Sequence, residues 1–417
     1  MVTLCVHHTL TAMTTRSVLI SGAGIAGPAL AYWLSRRGVA VTVVERAPAP
    51  RPGGQAVDLR GAARNVAERM GLLDAVRAVS VDERGIAWVW DDGSIAARMP
   101  ADAFGGEGIV SEIEILRGDL TQVLYQASLP DTEYVFDDTV TQLVQDDRGV
   151  TVAFERSAPR RFDLVVGADG SHSAVRGLAV AAESECASPL GCYTTWFTVP
   201  AELDIDGWFL MHNMPGGRVA SVRPGRLPGE HKVGLSFRSA PLAFDRADVG
   251  AQKALVAERF AGAAWEVPRL IAAMHAAQDF VLDSMAQVRL PSWSRGRVVL
   301  LGDAAWCPTP LTGLGTSLAM VGAYVLAGEL RSAGSSDIGP VGALRRYETF
   351  LRPYVTGAQK LPPGGVKGFA PTHALDIRAR RASMRLMTRW PMKQLIAKQF
   401  DKAEDIVLPD YLLTAVT

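Results

Sequence analysis

Short apolar runs and amphipathic stretches alternate at the start of the 417-residue chain. Residues 17–21 form an apolar run that leads through a glycine-rich turn into a helix-like stretch ending near Gly38. A second apolar run follows at 40–45. Short continuous apolar runs are typical of strands buried in a parallel sheet, and a glycine suits the position just after a helix. The pattern therefore predicts an opening β-α-β unit.

The next part of the chain keeps this pattern but interrupts it once. Proline and glycine at 48–54 predict a loop, and residues 62–70 predict a helix that stops at Gly71. Two strand-like runs at 86–90 and 94–99 flank an Asp-Asp-Gly turn, which predicts a hairpin. The α/β pattern then resumes with a predicted helix at 117–129 and a buried parallel strand at 163–167.

Residues 190–290 are rich in strand-like runs separated by proline and glycine turns. The predicted strands lie at 193–199, 207–212, 219–223 and 232–238. The α/β pattern returns with a strand at 296–301 and a helix at 316–330. A basic, methionine-rich stretch at 373–400, broken at Pro391, predicts one or two C-terminal helices that pack across the body of the protein.

The predicted fold class is α/β, with a Rossmann-like domain assembled from separated segments and a mainly antiparallel β-sheet domain inserted between them. C-terminal helices complete the fold. The predicted segments are 14–82, 113–182 and 286–362 for the Rossmann-like domain, 83–112 and 183–285 for the inserted domain, and 363–417 for the C-terminal helices.

Composition narrows the class of protein. With 43 basic and 43 acidic residues and 48% hydrophobic residues, the chain does not resemble a disordered protein or a general binder of nucleic acid or anionic membranes. We expect neither a secretion signal nor a membrane span. Cys5, Cys186, Cys192 and Cys307 lack the spacing of a disulfide framework or a metal site. We therefore expect reduced thiols, no metal and a cytoplasmic location.

The glycine turn, residues 22–27, carries the first chemical signal. Gly22, Gly24 and Gly27 follow a predicted strand and open a helix, and Glu45 ends the next strand. Glycines at this spacing let a pyrophosphate approach the helix N-terminus, and the acidic residue can accept hydrogen bonds from ribose hydroxyls. An acidic residue at 45 disfavours a 2′-phosphate at this site. The motif alone leaves FAD and NAD both open.

Two more strand-end motifs extend this signal. Asp169-Gly170 follows the strand at 163–167, and Gly302-Asp303 follows the strand at 296–301. Together with the glycine turn, they resemble the three fingerprints of group A FAD-dependent monooxygenases, the para-hydroxybenzoate hydroxylase-like family. The resemblance spans about residues 17–330. Segments 53–59 and 112–120 are most similar to tetracycline-inactivating monooxygenases and to hydroxylases of aromatic polyketides.

The resemblance implies an FAD domain of the GR2 type. It implies that Glu45 binds the adenosine ribose, that Arg117 lies along the pyrophosphate or ribityl chain, and that Asp303 binds the ribityl or pyrophosphate region. Asp169 would serve both FAD and the nicotinamide donor. The residues implied at FAD are Gly22, Gly24, Ala26, Gly27, Glu45, Arg46, Gly54, Asp58, Arg117, Asp169, Gly302, Asp303, Pro310, Gly313, Leu314 and Gly315.

The flavin loop, residues 308–315, leads into the predicted helix at 316–330. Gly313 and Gly315 let an isoalloxazine ring approach the backbone. The free N–H groups and positive dipole end of the helix can stabilise an anionic reduced flavin. The loop is therefore the expected flavin-contacting segment.

The implied reaction uses NADPH or NADH to reduce FAD. Addition of O₂ would then give a C4a-hydroperoxide, whose distal oxygen passes to an aromatic or polycyclic small molecule of polyketide or tetracycline type. No second GxGxxG motif occurs, which fits a nicotinamide that binds only transiently. We expect a monomer or weak homodimer with no nucleic-acid partner. Flavin halogenases share the fold but need a lysine in their N-terminal portion, and the first lysine here is Lys232.

Two residues depart from the family pattern. Trp306 stands where a histidine is common, and Ser317 stands where an asparagine usually follows the glycine pair. These departures motivate an alternative, an FAD-containing binding or cyclisation protein of natural-product biosynthesis without redox turnover. A hydrolase is disfavoured because the chain has neither a GxSxG elbow nor an HExxH pair.

Candidate substrate contacts lie mostly in the inserted sheet. Alternate members of this set would simply form the core of the sheet if they do not line a pocket. The candidates are Trp196, Phe197, Trp208, Phe209, Met211, His212 and Arg223, with Pro308 of the flavin loop.

Other residues fit structural roles better than chemical ones. Cys307 is interpreted as a small buried thiol, since no second cysteine is near in sequence. Structural or surface roles are expected for His172, His212, His231 and His275. The basic side chains near the C-terminus predict a solvated helix face rather than a nucleic-acid contact. These are Arg378, Arg380, Arg381, Arg385 and Arg389, with Trp390 beside them.

Overall fold

The computed structural model describes residues 15–104, 112–334, 338–387 and 406–411. The strands are β1 (Ser17–Ser21), β2 (Ala40–Glu45), β3 (Ala56–Asp58), β4 (Ser80–Val81), β5 (Gly85–Val89), β6 (Ile95–Pro100), β7 (Glu114–Leu116), β8 (Thr132–Phe136), β9 (Val140–Asp146), β10 (Gly149–Phe154), β11 (Arg160–Phe162), β12 (Leu164–Gly167), β13 (Ala187–Pro200), β14 (Trp208–Met214), β15 (Arg218–Pro224), β16 (Glu230–Arg238), β17 (Val281–Val288), β18 (Ser294–Arg295) and β19 (Val298–Leu300). The helices are α1 (Ala26–Ser35), α2 (Ala62–Arg69), α3 (Leu73–Ala78), α4 (Arg117–Ser128), α5 (Ala174–Ala179), α6 (Glu183–Cys186), α7 (Val249–Arg259), α8 (Val267–Ala276), α9 (Asp303–Trp306), α10 (Gly315–Gly334), α11 (Gly339–Ala358), α12 (Gly365–Phe369) and α13 (Ala374–Met387).

A six-stranded sheet in the order β18-β19-β12-β1-β2-β8 forms the Rossmann-like part of the molecule. Its strands from β19 to β8 pair in parallel, and β18 is antiparallel at one edge. The central strands β1 and β12 are almost wholly buried, which explains their continuous apolar sequence. These strands come from separated parts of the chain. The predicted α/β fold class is thus confirmed.

A seven-stranded sheet in the order β17-β13-β16-β15-β14-β5-β6 forms the inserted part. Its pairings are antiparallel except for β14 with β5. One face packs on α7 and α8 through a core that includes Phe197, Leu210 and Val256. The prediction of a strand-rich region was incomplete here, because two helices occupy much of residues 249–276.

Two small sheets were not predicted. The order β11-β10-β9 forms an antiparallel sheet, and the order β3-β7-β4 forms another. The strands of the second sheet are only two or three residues long, too short for a hydrophobic period to be recognised. This second sheet matters for the site because it carries Asp58 and Glu114.

The C-terminal helix α13 packs against the hairpin of β5 and β6, as the core shared by Trp88, Met99 and Met384 shows. The expected solvated basic face is wrong in one respect. Arg381 is buried, donates to the Val89 carbonyl at 2.7 Å and lies 4.0 Å from the Trp90 ring centroid. Burial of the long side chain over an aromatic ring stabilises the docked helix. Pro391, Arg389 and Trp390 lie outside the described residues.

A short segment, residues 406–411, lies on α10. Tyr324 donates to the Pro409 carbonyl, and Tyr411 donates to Glu329 at 2.6 Å. Within the ranges given above, no helix combines the length and the hydrophobicity needed to cross a membrane.

Candidate active site

The glycine turn is held by two close backbone approaches. Gly22 has φ +108°, and a Cβ there would lie 2.5 Å from the Ala168 carbonyl oxygen. A Cβ on Gly27 would lie 2.0 Å from the Gly22 carbonyl oxygen. The turn thus packs tightly against the end of β12 and leaves α1, which begins at Ala26, aimed at the space outside the sheet.

Glu45 braces this turn from the end of β2. One carboxylate oxygen accepts the Ala23 N–H at 2.9 Å, and the other accepts the Ala47 N–H at 2.9 Å. Each carboxylate oxygen has a second lone pair, so Glu45 can still accept a ribose hydroxyl. The side chain is 15% exposed, on the cleft side of the turn near Arg51. Arg46, its neighbour, is exposed.

Arg117 comes to the glycine turn from the start of α4. Its Nη2 lies 3.5 Å from the position that a Cβ on Gly24 would take. The Arg117 and Gly118 N–H groups donate to the carbonyls of Gln55 and Gly53, so the loop that contains Gly54 is fixed on this helix end. A cationic side chain therefore faces the gap in front of Gly24.

Asp303 lies across the cleft at the end of β19. Asp303 has solvent-accessible surface, whereas Gly302 and Ala304 on either side are buried, and the surrounding protein still desolvates its carboxyl group. Burial raises the pKa of Asp303, and the positive charge of Arg117 opposes this rise. The carboxylate lies 3.9 Å from the position of a Cβ on Gly315. Asp303 therefore connects the Arg117 side of the cleft with the flavin loop.

The flavin loop follows α9 and ends at the N-terminus of α10. Thr309 and Gly313 both have positive φ, +79° and +67°. Leu314 is buried, Pro310 is exposed, and Pro308 is 4.0 Å from the Cβ position of Gly315. The hydroxyl oxygens of Thr309 and Ser317 are buried without a hydrogen-bond partner among the described residues.

The residues brought together here fit FAD. A backbone cradle without side chains lies at the glycine turn, and a guanidinium and a carboxylate flank the middle of the cleft. At the far end, backbone N–H groups of a helix terminus adjoin two hydroxyls that lack partners. Pyrophosphate, ribityl hydroxyls and a flavin ring need donors and acceptors of these kinds.

The Asp169 carboxylate is engaged by groups of its own loop. Its carboxylate accepts from the Ser173 hydroxyl and from the Val175 N–H at 3.1 Å, so it fixes the start of α5. Arg176 was not singled out by sequence reasoning. It is fully buried and donates to the carbonyls of Ser171 and Ala304 at 2.7 and 3.1 Å. It therefore ties the Asp169 loop to the Asp303 loop.

The register of the seven-stranded sheet divides the candidate substrate contacts between two faces. Trp196 pairs with Gly234, Gly234 with Ser221, and Ser221 with Met211, so these residues share one face. Arg223 lies on this same face, two residues from Ser221. Phe209 also belongs to it, because it is two residues from Met211.

Trp208, His212 and Phe197 lie on the opposite face. Trp208 and Phe197 belong to the core under α7 and α8, and the His212 ring lies 5.4 Å from that of Trp265. The structure therefore does not bring Trp208 and His212 to the cleft. Strand periodicity could not assign the inward face without the register.

The substrate face, defined as the sheet face that carries Trp196, Met211 and Arg223, turns toward the FAD cleft. Arg223 contacts Glu114 of the small sheet. Helix α12 contacts both β13 and the 3₁₀ turn Pro310–Thr312 of the flavin loop. The face is thus bounded by the FAD domain and by C-terminal helices.

Trp306 and Cys307, although close to the flavin loop in sequence, point into the core. The Trp306 ring is 4.4 Å from that of Trp293 and packs on Gly322, where a Cβ would be 3.0 Å from it. Burial raises the pKa of Cys307 well above its usual range, and Asp303 raises it further. A buried, protonated thiol agrees with the structural role expected for Cys307.

A charge cluster that the sequence analysis did not recognise adjoins the flavin loop. Arg223 bonds Glu83 and Glu114, both at 2.9 Å, and Arg60 lies 2.6 Å from Asp58. Asp58 also lies 3.0 Å from the Cβ position of Gly313. Only Asp58 and Arg223 had been named, and no sequence pattern shows that distant acids such as Glu83 meet them.

Comparison with known proteins identifies the family of the chain. Residues 15–353 match the family model described as FAD binding domain. The chain is 43% identical to the uncharacterized protein Rv1260 of Mycobacterium tuberculosis (strain ATCC 25618 / H37Rv), over 85% of this chain and 95% of that one. It is 36% identical to a flavin-dependent monooxygenase of Legionella longbeachae serogroup 1 (strain NSW150), over 82% and 87% of the two chains.

A solved structure extends the likeness to almost the whole chain. The crystal structure of tetracycline destructase Tet(55) superposes with a TM-score of 0.80 at 33% identity, covering 96% of this chain and all of that one. The fold, the cleft and these relatives agree. The chain therefore belongs to the group A FAD-dependent monooxygenase family.

Proposed function

We propose that this protein is an FAD monooxygenase that uses NADPH or NADH and O₂ to hydroxylate an aromatic or polycyclic small molecule. The overall reaction consumes one O₂, one reduced nicotinamide and one proton, inserts one oxygen atom into the substrate, releases the other as water and leaves the nicotinamide oxidised. The family membership supports an FAD-dependent oxidoreductase. The nicotinamide, the oxygen chemistry and the substrate class are our proposal.

One observation carries the proposal. The cleft bounded by the glycine turn, Arg117, Asp303 and the flavin loop lies beside the substrate face of the inserted sheet. Gly313 and Gly315 would hold the flavin, and Trp196 of the neighbouring substrate face would contact the substrate. This is the arrangement that an oxygen transfer between ring and substrate requires.

Bound FAD would supply hydride acceptance and oxygen activation, which no side chain here provides. The residues of the chain have other tasks. Arg117 offsets the pyrophosphate charge, Glu45 and Asp303 accept hydroxyl hydrogen bonds, and the N-terminus of α10 stabilises negative charge. The apolar side chains of the substrate face exclude water and orient a planar ring.

The similarity to Tet(55) and the apolar side chains of Trp196, Phe209 and Met211 on the substrate face support an aromatic or polycyclic substrate. Trp196, Met211, Arg223 and Pro308 remain the proposed substrate contacts, although Met211 also belongs to the apolar core that includes Trp88 and Met384. Arg223 is committed to Glu83 and Glu114, so its proposed role is to shape the face rather than to hold a charged substrate.

Oxygen incorporation tests this function. The purified holoprotein is incubated with a panel of polycyclic phenols, NADPH or NADH and isotopically labelled O₂, and products are analysed by mass spectrometry. We expect one labelled oxygen in the product and nicotinamide oxidation that depends on that phenol. If the phenols bind without nicotinamide but no labelled product forms, the proposal is contradicted.

A further inference from the structure

The charge cluster has an unbalanced composition. It consists of Arg60, Glu83, Glu114 and Arg223, which are buried, and of Asp58, whose side chain is 12% exposed. Within this described set, three carboxyl groups share two guanidinium groups, so full ionisation of the set would leave one surplus negative charge. An uncompensated buried charge is costly, and uptake of one proton removes it.

The geometry indicates where that proton resides. Asp58 and Glu114 are direct partners in the pairing of β3 with β7, and each carboxyl group shifts the pKa of the other in the direction that a hydrogen bond donated by Glu114 to Asp58 would produce. A carboxylate can only accept, so a bond between two carboxyl groups requires one of them to be protonated.

The cations are unequally distributed between the two partners. Arg60 lies 2.6 Å from Asp58, whereas Arg223 contacts Glu114 and Glu83 together. Asp58 therefore has the better compensated charge. Burial raises the pKa of Glu114 well above its usual range and Asp58 raises it further, while Arg60 and Glu114 outweigh burial and lower the pKa of Asp58.

The pair is also in contact with the flavin loop. The Asp58 carboxylate lies 3.0 Å from the Cβ position of Gly313, which leaves no room for a side chain there. A change of charge on the pair therefore acts directly on the segment proposed to hold the flavin ring.

We propose that Glu114 is a positioning residue that keeps its proton at neutral pH and donates it to Asp58, which is thereby held as a single carboxylate against the flavin loop. When the pH rises, the Glu114 O–H bond breaks and the proton passes to solvent. Two adjacent carboxylates then repel each other beside the loop. The link to FAD rests on the proposed function, whereas the protonation of Glu114 does not.

Three segments around the pair each contribute a charged group to this balance, whereas β4, which pairs with β7 through Ser80 and Val81, contributes none. Arg60 follows β3, Glu83 precedes β5 and Arg223 belongs to β15. Lys232 is the strand partner of Arg223 on the neighbouring strand β16. Its ammonium group donates to the Thr198 hydroxyl and lies 3.5 Å from Glu230, so it is engaged outside the charge cluster.

The sign of the pH effect follows from linkage. The pKa of Glu114 is higher in the folded than in the unfolded protein. The protonated side chain therefore contributes its full stabilisation at pH values below the unfolded-state pKa. This stabilisation is lost as the pH rises through the folded-state pKa. Glu114→Gln imitates the protonated side chain and cannot ionise, so this loss should disappear.

The first experiment measures the thermal midpoint of flavin-free protein from about pH 5 to about pH 9. The variants are Glu114→Gln and, as a control on the same segment, Glu112→Gln, whose side chain is 55% exposed. We expect Glu114→Gln to match the wild type at the acid end and to melt higher at the alkaline end, with Glu112→Gln following the wild type.

If Glu114→Gln melts at a lower temperature than the wild type at neutral and alkaline pH, the proposal is overturned. That result would mean that the substitution breaks an ion pair between an ionised Glu114 and Arg223. Asp58→Asn gives a second reading if Glu114→Gln folds poorly. It removes the neighbouring charge that holds up the pKa of Glu114, so the alkaline loss of stability should shrink.

The second experiment measures the FAD dissociation constant over the same pH range by flavin fluorescence. In the wild type we expect the FAD dissociation constant to rise by up to about tenfold for each pH unit above the pKa of Glu114. In Glu114→Gln we expect the dissociation constant to be independent of pH. Equal pH dependence in both would overturn the link to FAD. A wild type that binds no FAD at any pH contradicts the proposed function instead, and the melting curves still decide the protonation of Glu114.

Discussion

Single glycines determine whether the cofactor cradle can form. Gly27 leaves only 2.0 Å between its Cβ position and the Gly22 carbonyl oxygen, so even a methyl group must displace the turn. By contrast, Gly177 in α5 has no atom within 4 Å of its Cβ position. The two positions offer a matched comparison of a crowded and an open glycine.

We predict that Gly27→Ala lowers the free energy of unfolding by about 1–3 kcal/mol and reduces FAD content, because the turn has no space for the added methyl group. Gly177→Ala should leave FAD content unchanged and keep or slightly raise the melting temperature, since alanine favours a helix. Thermal melts and flavin absorbance measure both. An FAD-replete Gly27→Ala protein would contradict this account of the cradle.

At the same scale, the acidic residues of the cleft should bind FAD through hydroxyl hydrogen bonds. We predict that Asp303→Ala weakens FAD affinity about 10- to 100-fold, the effect of losing one or two hydrogen bonds to a charged group. Glu45→Ala should lose as much affinity and also destabilise the turn, because the Ala23 N–H loses its acceptor.

Titration of FAD into the apoproteins measures these losses. The exposed Glu155 lies away from the cleft, and Glu155→Ala is the charge-matched control. If Asp303→Ala binds FAD as tightly as Glu155→Ala, then Asp303 is not a cofactor residue.

Strands and helices decide which candidate side chains reach the cleft. Alternation puts Trp196 on the substrate face and Trp208 in the core under α7 and α8. Two tryptophans of one sheet therefore have different expected roles.

We predict that Trp208→Ala lowers the free energy of unfolding by about 3–5 kcal/mol, as expected for emptying a core site. Trp196→Ala, at a partly exposed position, should cost much less stability but raise the KM for the phenol found by oxygen labelling. Denaturant melts and steady-state kinetics separate the two effects. Equal losses of stability with unchanged KM would contradict the assignment of faces.

The docking of α13 is a second property of an element. Arg381 is buried against Val89 and Trp90, while Arg378, one turn earlier, is exposed. We predict that Arg381→Ala lowers the free energy of unfolding by about 1–3 kcal/mol and speeds amide exchange in α13, because the Val89 carbonyl loses the shorter of its two contacts and the Trp90 ring loses its cation. Arg378→Ala should do neither, and hydrogen-exchange mass spectrometry compares them.

The elements that sequence reasoning found are those with strong periodicity and glycine or proline boundaries, such as β1, α1 and β12. Sequence reasoning missed β3, β4 and β7 because short strands show no period, and it overlooked α7 and α8 within a region judged by its strands. The fingerprint residues could be predicted because local spacing fixes them. The faces of Trp208 and His212 and the charge cluster depend on register and on long-range packing, which spacing does not contain.

At the scale of the whole molecule, one junction between the Rossmann-like part and the inserted sheet depends on a histidine. His172, in the Asp169 loop, bonds Glu183 at 2.9 Å and Asp283 of β17 at 3.2 Å. The hydrogen bond and charge of Asp283 raise the pKa of His172 against the effect of burial. Protonated His172 therefore fastens the two parts together.

Because the folded pKa of His172 is raised, this contribution is complete below the unfolded value and is lost as pH rises through the folded value. We predict that His172→Gln removes a fall in melting temperature between about pH 6 and pH 8, worth up to about 1 kcal/mol at this partly exposed site. The exposed His275, replaced in the same way, is the control. A His172→Gln protein with the wild-type pH profile would show that the pair does not join the two parts.

We propose above all that the cleft holds FAD and that a nicotinamide reduces this FAD. The most direct test is the absorbance spectrum of the purified protein, followed without oxygen as NADPH or NADH is added, with and without a panel of polycyclic phenols. We predict bound flavin whose visible bands bleach with one nicotinamide, and faster with a particular phenol. Bound flavin that neither nicotinamide reduces under any condition would contradict the claim.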